Sequence, residues 1–457
     1  HAPGIEWQKS FFAPTHPGFT DPANTPPAGP QTKNKSGEDW FYDVKLAKNL
    51  STPTAYVCAG YSTFVNSETI NECYSYTIND YGPFDSEEFE NDNWLKGNPR
   101  PKMALVDLKG NLIWYKLFGV ASNGNVGSAE RFYNIIQTSD DGFLAIGRRR
   151  IGGEIPYNQS DANPNGKSFS CTAKVNGIKE YVVKTDYAGN LLWQGTYGFS
   201  ETSDLDNYAS VGYDVVETAN EYIICGRAAD VNNVDTRAVI IKVNKSNGRV
   251  ISKAFVGNTG KDSWIRAVAL EPNTTNLYVT GKEPGSSNVG YYDLFVQKID
   301  LNDYSIDASY YVNVGSTTNN IGYDIAYDAI NGRVIVAGTM DVEIAFAENS
   351  QGSGEGHVYI LNPTNLSLIG NKFLGAIKAY DLQIGLASLS DGSFIVTVPK
   401  QNALLTNIPN QLCGGNFDDV ETTPLWNTDV YVEKFSGVNP YQSIWNKTFD
   451  YDVPQAL

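Results

Sequence analysis

The stretches "GNLIWYKLFG" (110–119) and "GNLLWQGTYG" (189–198) are near copies of one short segment. Two further relatives, "GIEWQKSFF" (4–12) and "QSIWNKTF" (442–449), lie near the two ends of the chain. In the first pair a Gly-Asn dipeptide precedes a strand-like run that contains a Trp, and such dipeptides are typical of tight hairpins. A segment that recurs along a chain predicts an architecture built from repeated units.

The whole repeating unit is visible in "YNIIQTSDDGFLAIGRRR" (133–150) and the "EYVVKTDYAGNLLWQGTYG" (180–198) that follows it. An alternating strand leads through an Asp-Gly turn to a second strand that ends in Gly. A third strand ends at an Asp before the Gly-Asn turn, and the Trp strand completes the unit. Short runs rich in β-branched and aromatic residues, separated by such turns, indicate four consecutive antiparallel strands.

Six copies of this unit recur at roughly 55–60 residues where no insertion interrupts them, close to the size of one propeller blade. Their second strands are "YVCAG" (56–60), "FLAIG" (143–147), "YIICG" (222–226), "LYVTG" (277–281), "VIVAG" (334–338) and "FIVTV" (394–398). The pattern predicts an all-β, six-bladed β-propeller of four-stranded antiparallel blades. The additional Trp-type strand at 4–12 is expected to pair near the C-terminal strand, and it keeps a seven-bladed propeller as the alternative.

Composition narrows the classes of function. The 457 residues carry a formal charge of −17, which argues against nucleic acid as a partner because phosphate binding needs a basic surface. No apolar run of 18 residues is present, so no membrane span is expected. The chain begins at His1, and we expect a signal peptide to have been removed before it.

Long insertions interrupt the loops between second and third strands at 63–101, 151–179 and 401–428, and a linker rich in Pro and Thr occupies 13–40. In a propeller these loops share one face, and the affected blades 6, 1 and 2 are neighbours in a six-membered ring. We therefore expect one lobe on one face of a single domain. Long loops on a rigid scaffold often carry binding or catalysis, and the alternative is a lobe that caps the channel or packs on a partner domain.

Two groups of side chains in the insertions are candidates for binding. Tyr and Trp rings could stack on sugars, or could instead pack the lobe together: Tyr74, Tyr76, Tyr81, Trp94, Tyr157 and Trp426. Clustered carboxylates suit Ca²⁺, although a solvated acidic loop is the preferred interpretation: Asp85, Glu87, Glu88, Glu90 and Asp92.

Five cysteines leave at least one thiol unpaired. Cys73, Cys171 and Cys413 lie in the insertions, and a disulfide between two of them would brace the lobe, in a pairing that the sequence leaves open. Cys225 falls on a predicted strand and is expected to be a buried free thiol.

The first strands repeat a pair of residues: Tyr42-Asp43, Tyr133-Asn134, Tyr213-Asp214, Tyr323-Asp324 and Tyr380-Asp381, with Ile265-Arg266 in the fourth unit. These side chains could ring the channel as a cation or polyol site. Alternatively, each Asp accepts hydrogen bonds from backbone amides, and recurrence in nearly every blade favours this structural role.

The strand "WQKSFF" (7–12) and the run "YNIIQTSDDGFLAIGR" (133–148) together resemble the repeat β-propellers of secreted Bacteroidota proteins, many of them cargo of type IX secretion. This resemblance implies an extracellular or cell-surface location and a propeller fold, and it implies no particular activity. The hairpins "DLKGNLIW" (107–114) and "DYAGNLLW" (186–193) also resemble the repeat of quinone-dependent dehydrogenase propellers, but the vicinal Cys pair of quinoproteins is absent from the sequence.

The sequence contains three His and no Gly-x-Ser-x-Gly elbow, which argues against a nucleophilic triad. We therefore expect a non-catalytic binding propeller whose ligand is a glycan or another surface protein, with no cofactor other than Ca²⁺ suggested. The alternatives are a carboxylate-based hydrolase or lyase acting on carbohydrate, and a structural subunit of an envelope or secretion assembly.

Overall fold

The computed structural model describes fourteen stretches of the chain: 39–49, 52–62, 100–118, 130–151, 168–171, 177–198, 210–229, 236–256, 262–284, 291–312, 319–342, 352–379, 384–401 and 428–449. Every element within them is a β-strand. The strands form six sheets in chain order, each built from a core of four antiparallel strands. The fold is a six-bladed β-propeller, so the six-bladed prediction is confirmed over its seven-bladed alternative. The segment 4–12 lies outside the described residues.

Blades 1 to 3 follow the order of the sequence. Blade 1 consists of β1 (Asp39–Asn49), β2 (Thr52–Ser62), β3 (Arg100–Asp107) and β4 (Leu112–Leu117). Blade 2 consists of β5 (Arg131–Gln137), β6 (Phe143–Ile151), β7 (Ser168–Cys171), β8 (Gly177–Thr185) and β9 (Leu191–Tyr197). Blade 3 consists of β10 (Ser210–Glu217), β11 (Glu221–Ala229), β12 (Thr236–Asn244) and β13 (Val250–Phe255).

Blades 4 to 6 repeat the same plan. Blade 4 consists of β14 (Trp264–Leu270), β15 (Asn276–Pro284), β16 (Tyr292–Asp300) and β17 (Ile306–Val312). Blade 5 consists of β18 (Asn319–Asp328), β19 (Arg333–Val342), β20 (Gly352–Leu361) and β21 (Leu368–Ala379). Blade 6 consists of β22 (Gly385–Ser388), β23 (Phe394–Gln401), β24 (Thr428–Phe435) and β25 (Ser443–Phe449).

The chain divides into two compact units. One contains Ser36–Val268 and the other contains Ala269–Leu457. The described part of the first unit holds blades 1 to 3 and most of β14, and the second holds the remainder.

Blade 2 has a fifth strand that the sequence pattern did not predict. Strand β7, which lies within the insertion 151–179, pairs in parallel with the outer strand β9, and Cys171 stands opposite Thr196. The sheet order is therefore β5-β6-β8-β9-β7. The insertion thus returns to the blade from which it leaves.

In blades 2 to 5 the apolar runs of the second strands are continuous because both faces of those strands are buried. In β6 the side chains of Phe143 and Ala145 join a cluster with blade 1, whereas those of Leu144 and Ile146 join a cluster with blade 3. All four are fully buried. Strands buried on both faces lose the alternation of apolar and polar residues that marks a half-exposed sheet.

The Gly-Asn turn of the repeat is fixed by the Asp that precedes it. Asp107 accepts hydrogen bonds from the backbone N–H of Asn111 at 2.7 Å and from its side-chain Nδ2 at 2.8 Å. Asp186 holds Asn190 through the same pair of bonds, both at 2.8 Å. Gly189 in this turn has a φ of +76°, which favours glycine.

The repeated Trp joins blades 1 and 2 to the blades that follow them. The indole Nε1 of Trp114 on β4 donates to the carbonyl of Tyr187 at 3.2 Å, in the third-to-fourth hairpin of blade 2. Trp193 on β9 donates in the same way to the carbonyl of Lys245 in blade 3 at 3.0 Å. A Cβ at Gly248 would lie 2.5 Å from the Trp193 ring, so the ring packs where only glycine leaves room. The repeated Gly-Asn and Trp segment therefore makes a contact between blades.

Replacing Trp193 by Phe should lower the free energy of unfolding by about 1–3 kcal/mol, because the partly buried carbonyl of Lys245 loses its donor. Urea denaturation measures this loss. Trp445 on β25 is the matched control, since it is only partly buried and its indole donates to no described residue. An equal loss in Trp445→Phe would show that the hydrogen bond to the next blade is unimportant.

Candidate functional site

The binding residues predicted in the insertions lie outside the described residues. This holds for the six aromatic candidates Tyr74, Tyr76, Tyr81, Trp94, Tyr157 and Trp426, and for the carboxylates Asp85, Glu87, Glu88, Glu90 and Asp92. They remain predictions. Within the described stretches, no group of three or more His, Cys, Asp or Glu side chains could hold a metal ion.

The cysteines divide in the same way. Cys73 and Cys413 lie outside the described residues, and of Cys171 only the place in β7 is described. Cys225 is a fully buried free thiol, as predicted, and Cys58 is also free. Burial, helped by the charge of Asp43, raises the pKa of Cys58 to about 11. Burial also raises the pKa of Cys225, so neither thiol is ionised near neutral pH.

The repeated Tyr of the first strands sits at a β-bulge. The register between first and second strands skips one residue at Tyr42, Tyr133, Tyr213 and Tyr323. A bulge leaves the extra residue unpaired and re-aims its side chain. The four blades therefore present a tyrosine at the same place for a shared backbone reason.

The Asp after the bulge has the structural role that its recurrence favoured. One carboxylate oxygen of Asp214 accepts the N–H of Val215 at 2.7 Å. The other accepts the N–H of Val268, on the first strand of blade 4, at 2.8 Å. One carboxylate thus satisfies amides on two neighbouring first strands. The second amide belongs to a strand of the next blade.

The same bridge recurs in alternate blades. Asp43 accepts the amides of Val44 at 2.9 Å and Ile135 at 3.0 Å, joining blades 1 and 2. Asp324 accepts the amides of Ile325 at 2.8 Å and Leu386 at 2.7 Å, joining blades 5 and 6. Each Asp therefore pairs an odd-numbered blade with the even-numbered blade that follows it.

The even-numbered blades have no Asp at this position. The bridged amides identify the equivalent residues as Asn134, Ala267 and Gly385, each directly before the amide that the preceding Asp uses. The pair that corresponds to Tyr-Asp in the fourth unit is therefore Arg266-Ala267, not Ile265-Arg266 as the sequence pattern predicted. Arg266 takes the place of the tyrosine. The pair Tyr380-Asp381 lies outside the described residues, and Gly385 stands where its Asp was expected.

The bulges bring aromatic rings from consecutive blades together. The rings of Tyr42 and Tyr133 have centroids 5.3 Å apart, and those of Tyr133 and Tyr213 are also 5.3 Å apart. Trp264 stacks on Tyr213 at 6.1 Å with an interplanar angle of 18°. We call these four residues the aromatic row. Tyr213 is buried, and the other three are partly exposed.

Arginine side chains surround the aromatic row. Arg131 donates to the hydroxyl of Tyr42 at 3.1 Å. The guanidinium carbon of Arg266 lies 4.7 Å from the centre of the Tyr213 ring, and that of Arg227 lies 3.7 Å from the centre of the Trp264 ring. Cations over ring faces are attracted by the ring quadrupole.

The aromatic row lies at the end of the blades from which the long insertions depart. The rings of Tyr42 and Tyr61 have centroids 6.0 Å apart, and β2 ends at Ser62, one residue after Tyr61. Ser62 pairs with Arg100, so the chain leaves the blade after Ser62 and re-enters it at the adjacent Arg100, and the last two residues of the predicted insertion 63–101 belong to β3. In blade 2, Ile151 pairs with Gly177 in the same way.

Sequence reasoning identified the tyrosines but not the rest of this site. Arg227 follows the Gly that ends the second-strand motif, as Arg148 does in blade 2, and Trp264 precedes the tyrosine position by two residues, as Trp40 does in blade 1. Neither recurrence marks a site, and Arg131 precedes the Tyr-containing pair as an ordinary strand residue. Only Arg266 carried a signal, because it interrupts a repeated pattern at one blade.

Glu180 is a second unusual feature of blade 2. It is fully buried, and neither carboxylate oxygen finds a hydrogen-bond partner among the described residues. Its registered neighbours are Arg148 on β6 and Tyr197 on β9. Burial raises the pKa of Glu180 to about 8, so the neutral acid is favoured at neutral pH.

Comparisons with known proteins add little. No family model matches the chain, and no curated protein matches it. Among similar solved structures, quinohemoprotein alcohol dehydrogenase from Comamonas testosteroni has 11% identity and a TM-score of 0.35, with 76% of this chain and 58% of that chain covered. The present chain thus matches little more than half the length of that enzyme.

Two other similar structures are Sqt1 from Chaetomium thermophilum and a protein of unknown function from Bacteroides caccae. Sqt1 has 11% identity and a TM-score of 0.36, covering 89% of this chain and 87% of its own. The Bacteroides protein has 10% identity and a TM-score of 0.24, covering 59% and 90% respectively. Similarity at this level carries no activity, cofactor or partner to this chain.

No helix in the described part of the chain has the length and apolar character needed to cross a membrane.

Replacing Asp214 by Ala should lower the free energy of unfolding by about 2–5 kcal/mol, because the amides of two buried residues, Val215 and Val268, lose their acceptor. Asp214→Asn should lose roughly half as much, since its one carbonyl oxygen can serve one amide. Urea midpoints measure both. Asp307→Ala, at an exposed carboxylate that makes no hydrogen bond with a described residue, is the control and should leave stability unchanged.

Glu180 should make the protein less stable as pH rises. Its pKa is about 8 in the fold against 4.5 when unfolded, so the folded state retains a proton that the unfolded state loses. Between these values each pH unit costs about 1.4 kcal/mol, and above pH 8 the penalty is constant. Stability profiles of wild type and Glu180→Gln between pH 5 and pH 8 test this. The two curves should diverge with rising pH, and parallel curves would contradict the assignment.

Proposed function

We propose that this protein is a non-catalytic binding propeller, secreted or displayed on a bacterial cell surface, that recognises a glycan. The aromatic row is the observation that supports the proposal. Its rings come from the first strands of four consecutive blades, and three of them remain partly exposed. The location follows the resemblance to secreted repeat propellers and is part of the proposal.

Aromatic faces suit sugars because the C–H face of a pyranose packs against a ring while its hydroxyls exchange hydrogen bonds with polar groups at the rim. Tyr42 and Tyr133 supply both a ring and a hydroxyl. Arg131 fixes the hydroxyl of Tyr42 at 3.1 Å, so part of the surface is preorganised. A rigid site loses less conformational entropy when a ligand binds.

The carboxylates beside the row favour binding over hydrolysis. Glycosidases require two carboxyl groups that are free to exchange a proton or to attack the sugar. Asp43 and Asp214 each accept two backbone amides that tie blades together. Both carboxylates therefore hold the scaffold together, and neither is free to exchange a proton with a sugar.

A panel of plant, algal and bacterial polysaccharides tests the proposal. Each tube is scored for protein depleted onto the polymer and for soluble sugar released. Depletion without release is the expected result. Release of sugar would mean a hydrolase or lyase, and no depletion on any polymer would favour a protein partner or a structural role in an assembly.

Substitution identifies the surface that binds. Tyr42→Ala and Tyr133→Ala should each weaken binding to a retained polymer about tenfold, the effect of losing one stacking ring. Tyr311→Ala is the control, because Tyr311 is exposed on the outer strand β17 of blade 4. Affinity electrophoresis measures all three. Equal retardation of wild type, Tyr42→Ala and Tyr133→Ala would exclude the aromatic row as the binding surface.

A further inference from the structure

The aromatic row ends where the repeat is interrupted. The bulge position carries Tyr in blades 1, 2 and 3, and the equivalent residue of blade 4 is Arg266. Its guanidinium lies over the Tyr213 ring, on which Trp264 also stacks. The shared backbone geometry does not require an Arg at this position, since four other blades satisfy it with Tyr.

Arg227 brings a second guanidinium to the same end. Its guanidinium carbon lies 3.7 Å from the centre of the Trp264 ring and 6.0 Å from that of Tyr213. The side chain is partly exposed, and it makes no hydrogen bond or ion pair with any residue in the described stretches. Stacking uses the face of a guanidinium, whereas its N–H donors point outward in the plane. The fork of Arg227 is therefore held in place with its donors available.

The ring beneath Arg227 is itself fixed. The indole Nε1 of Trp264 donates to Thr236 Oγ1 at 2.8 Å and to Asp262 Oδ1 at 3.1 Å. Asp262 also accepts a short hydrogen bond from the hydroxyl of Thr236. The platform is therefore rigid, and a guanidinium held over a fixed ring loses little freedom when it binds a ligand.

We propose that Arg227 and Arg266 bind the carboxylate of an acidic sugar, so that the glycan recognised by the aromatic row is a polyuronate. This inference rests on the proposed function and names the class of its ligand. A planar guanidinium fork matches the two oxygens of a carboxylate, and the pair of charge-assisted bonds adds both strength and orientation. The neighbouring rings supply the stacking surface for the same sugar residue.

The overall charge makes this arrangement selective. A protein with a formal charge of −17 repels an acidic polymer over most of its surface. Retention of such a polymer then requires a local cationic site, and Arg131, Arg227 and Arg266 lie around one row of rings. The proposal therefore predicts that binding of the acidic polymer depends strongly on these few residues and that added salt weakens it.

The test compares polygalacturonate, alginate and hyaluronan with their carboxyl-reduced forms, which keep the polymer backbone and lose the charge. Affinity electrophoresis and calorimetry at low and moderate salt measure the preference. At least one acidic polymer should bind about tenfold more tightly than its reduced form. Arg227→Gln should abolish this preference, so that the acidic polymer and its reduced form bind about equally.

Two further variants separate recognition from folding. Arg249→Gln removes the same charge from an exposed residue in the third-to-fourth hairpin at the opposite end of blade 3, and it should keep the full preference. Arg227→Lys keeps the charge without the fork, and it should retain only part of the preference. Near-UV circular dichroism confirms that Trp264 is undisturbed in each variant. If Arg227→Gln does not fold, the lysine variant alone decides the question.

The outcomes distinguish the two proposals. If neutral polysaccharides bind and no uronate is preferred over its reduced form, the glycan function stands and the carboxylate site is wrong. Preference for a sulfated polymer over every uronate would also overturn the carboxylate assignment. If no polysaccharide of any kind binds, both proposals fail together.

Discussion

The bridge from one Asp carboxylate to two backbone amides organises the inner part of each blade pair. A bulge leaves one residue of the first strand unpaired. The Asp that follows accepts a hydrogen bond from the N–H of the next residue in its own strand and another from an N–H on the first strand of the next blade. Because buried amides must be paired, the bulge and the Asp depend on each other. The bulges at Tyr42 and Tyr213 are paired with an Asp in this way, whereas blade 2 has its bulge at Tyr133 with Asn134 in place of the Asp. Asn134 shows the cost of leaving the pattern, since its buried side-chain oxygen finds no partner among the described residues.

The blades were predictable because the signals that define them are local. Asp, Gly and Asn fix a hairpin within five residues, and the Trp that follows needs a neighbouring hairpin with a glycine such as Gly248 to accept its ring. The pairing of blades was not predictable. Asp43 and Asp324 look like members of one uniform repeat, and the alternation becomes visible only when the acceptor of each amide is known. Strand β7 was missed for a related reason, because its partner β9 follows it across an intervening strand.

The candidate site was only half visible in the sequence. Tyrosines that recur in step with the repeat could be assigned to one place in blades 1, 2, 3 and 5. Arg227 and Trp264 lie on strands of different blades, and no motif in the sequence pairs them before the fold places the guanidinium carbon 3.7 Å from the centre of the indole ring. Arginine side chains cluster beside aromatic rings in a chain that is otherwise strongly acidic. This local concentration of positive charge distinguishes the candidate site from the repeated features of the scaffold.

The parallel strand β7 has a consequence for the order of events during synthesis. β7 ends at Cys171, and the strand that it joins, β9, ends at Tyr197. A chain that grows from its N-terminus therefore exposes β7 before its template exists, while β8 can already pair with β6. The outer edge of blade 2 is thus closed last, by a segment made earlier. Until that moment both β7 and the edge of β9 have unpaired backbone groups, which can pair incorrectly with another copy of the chain.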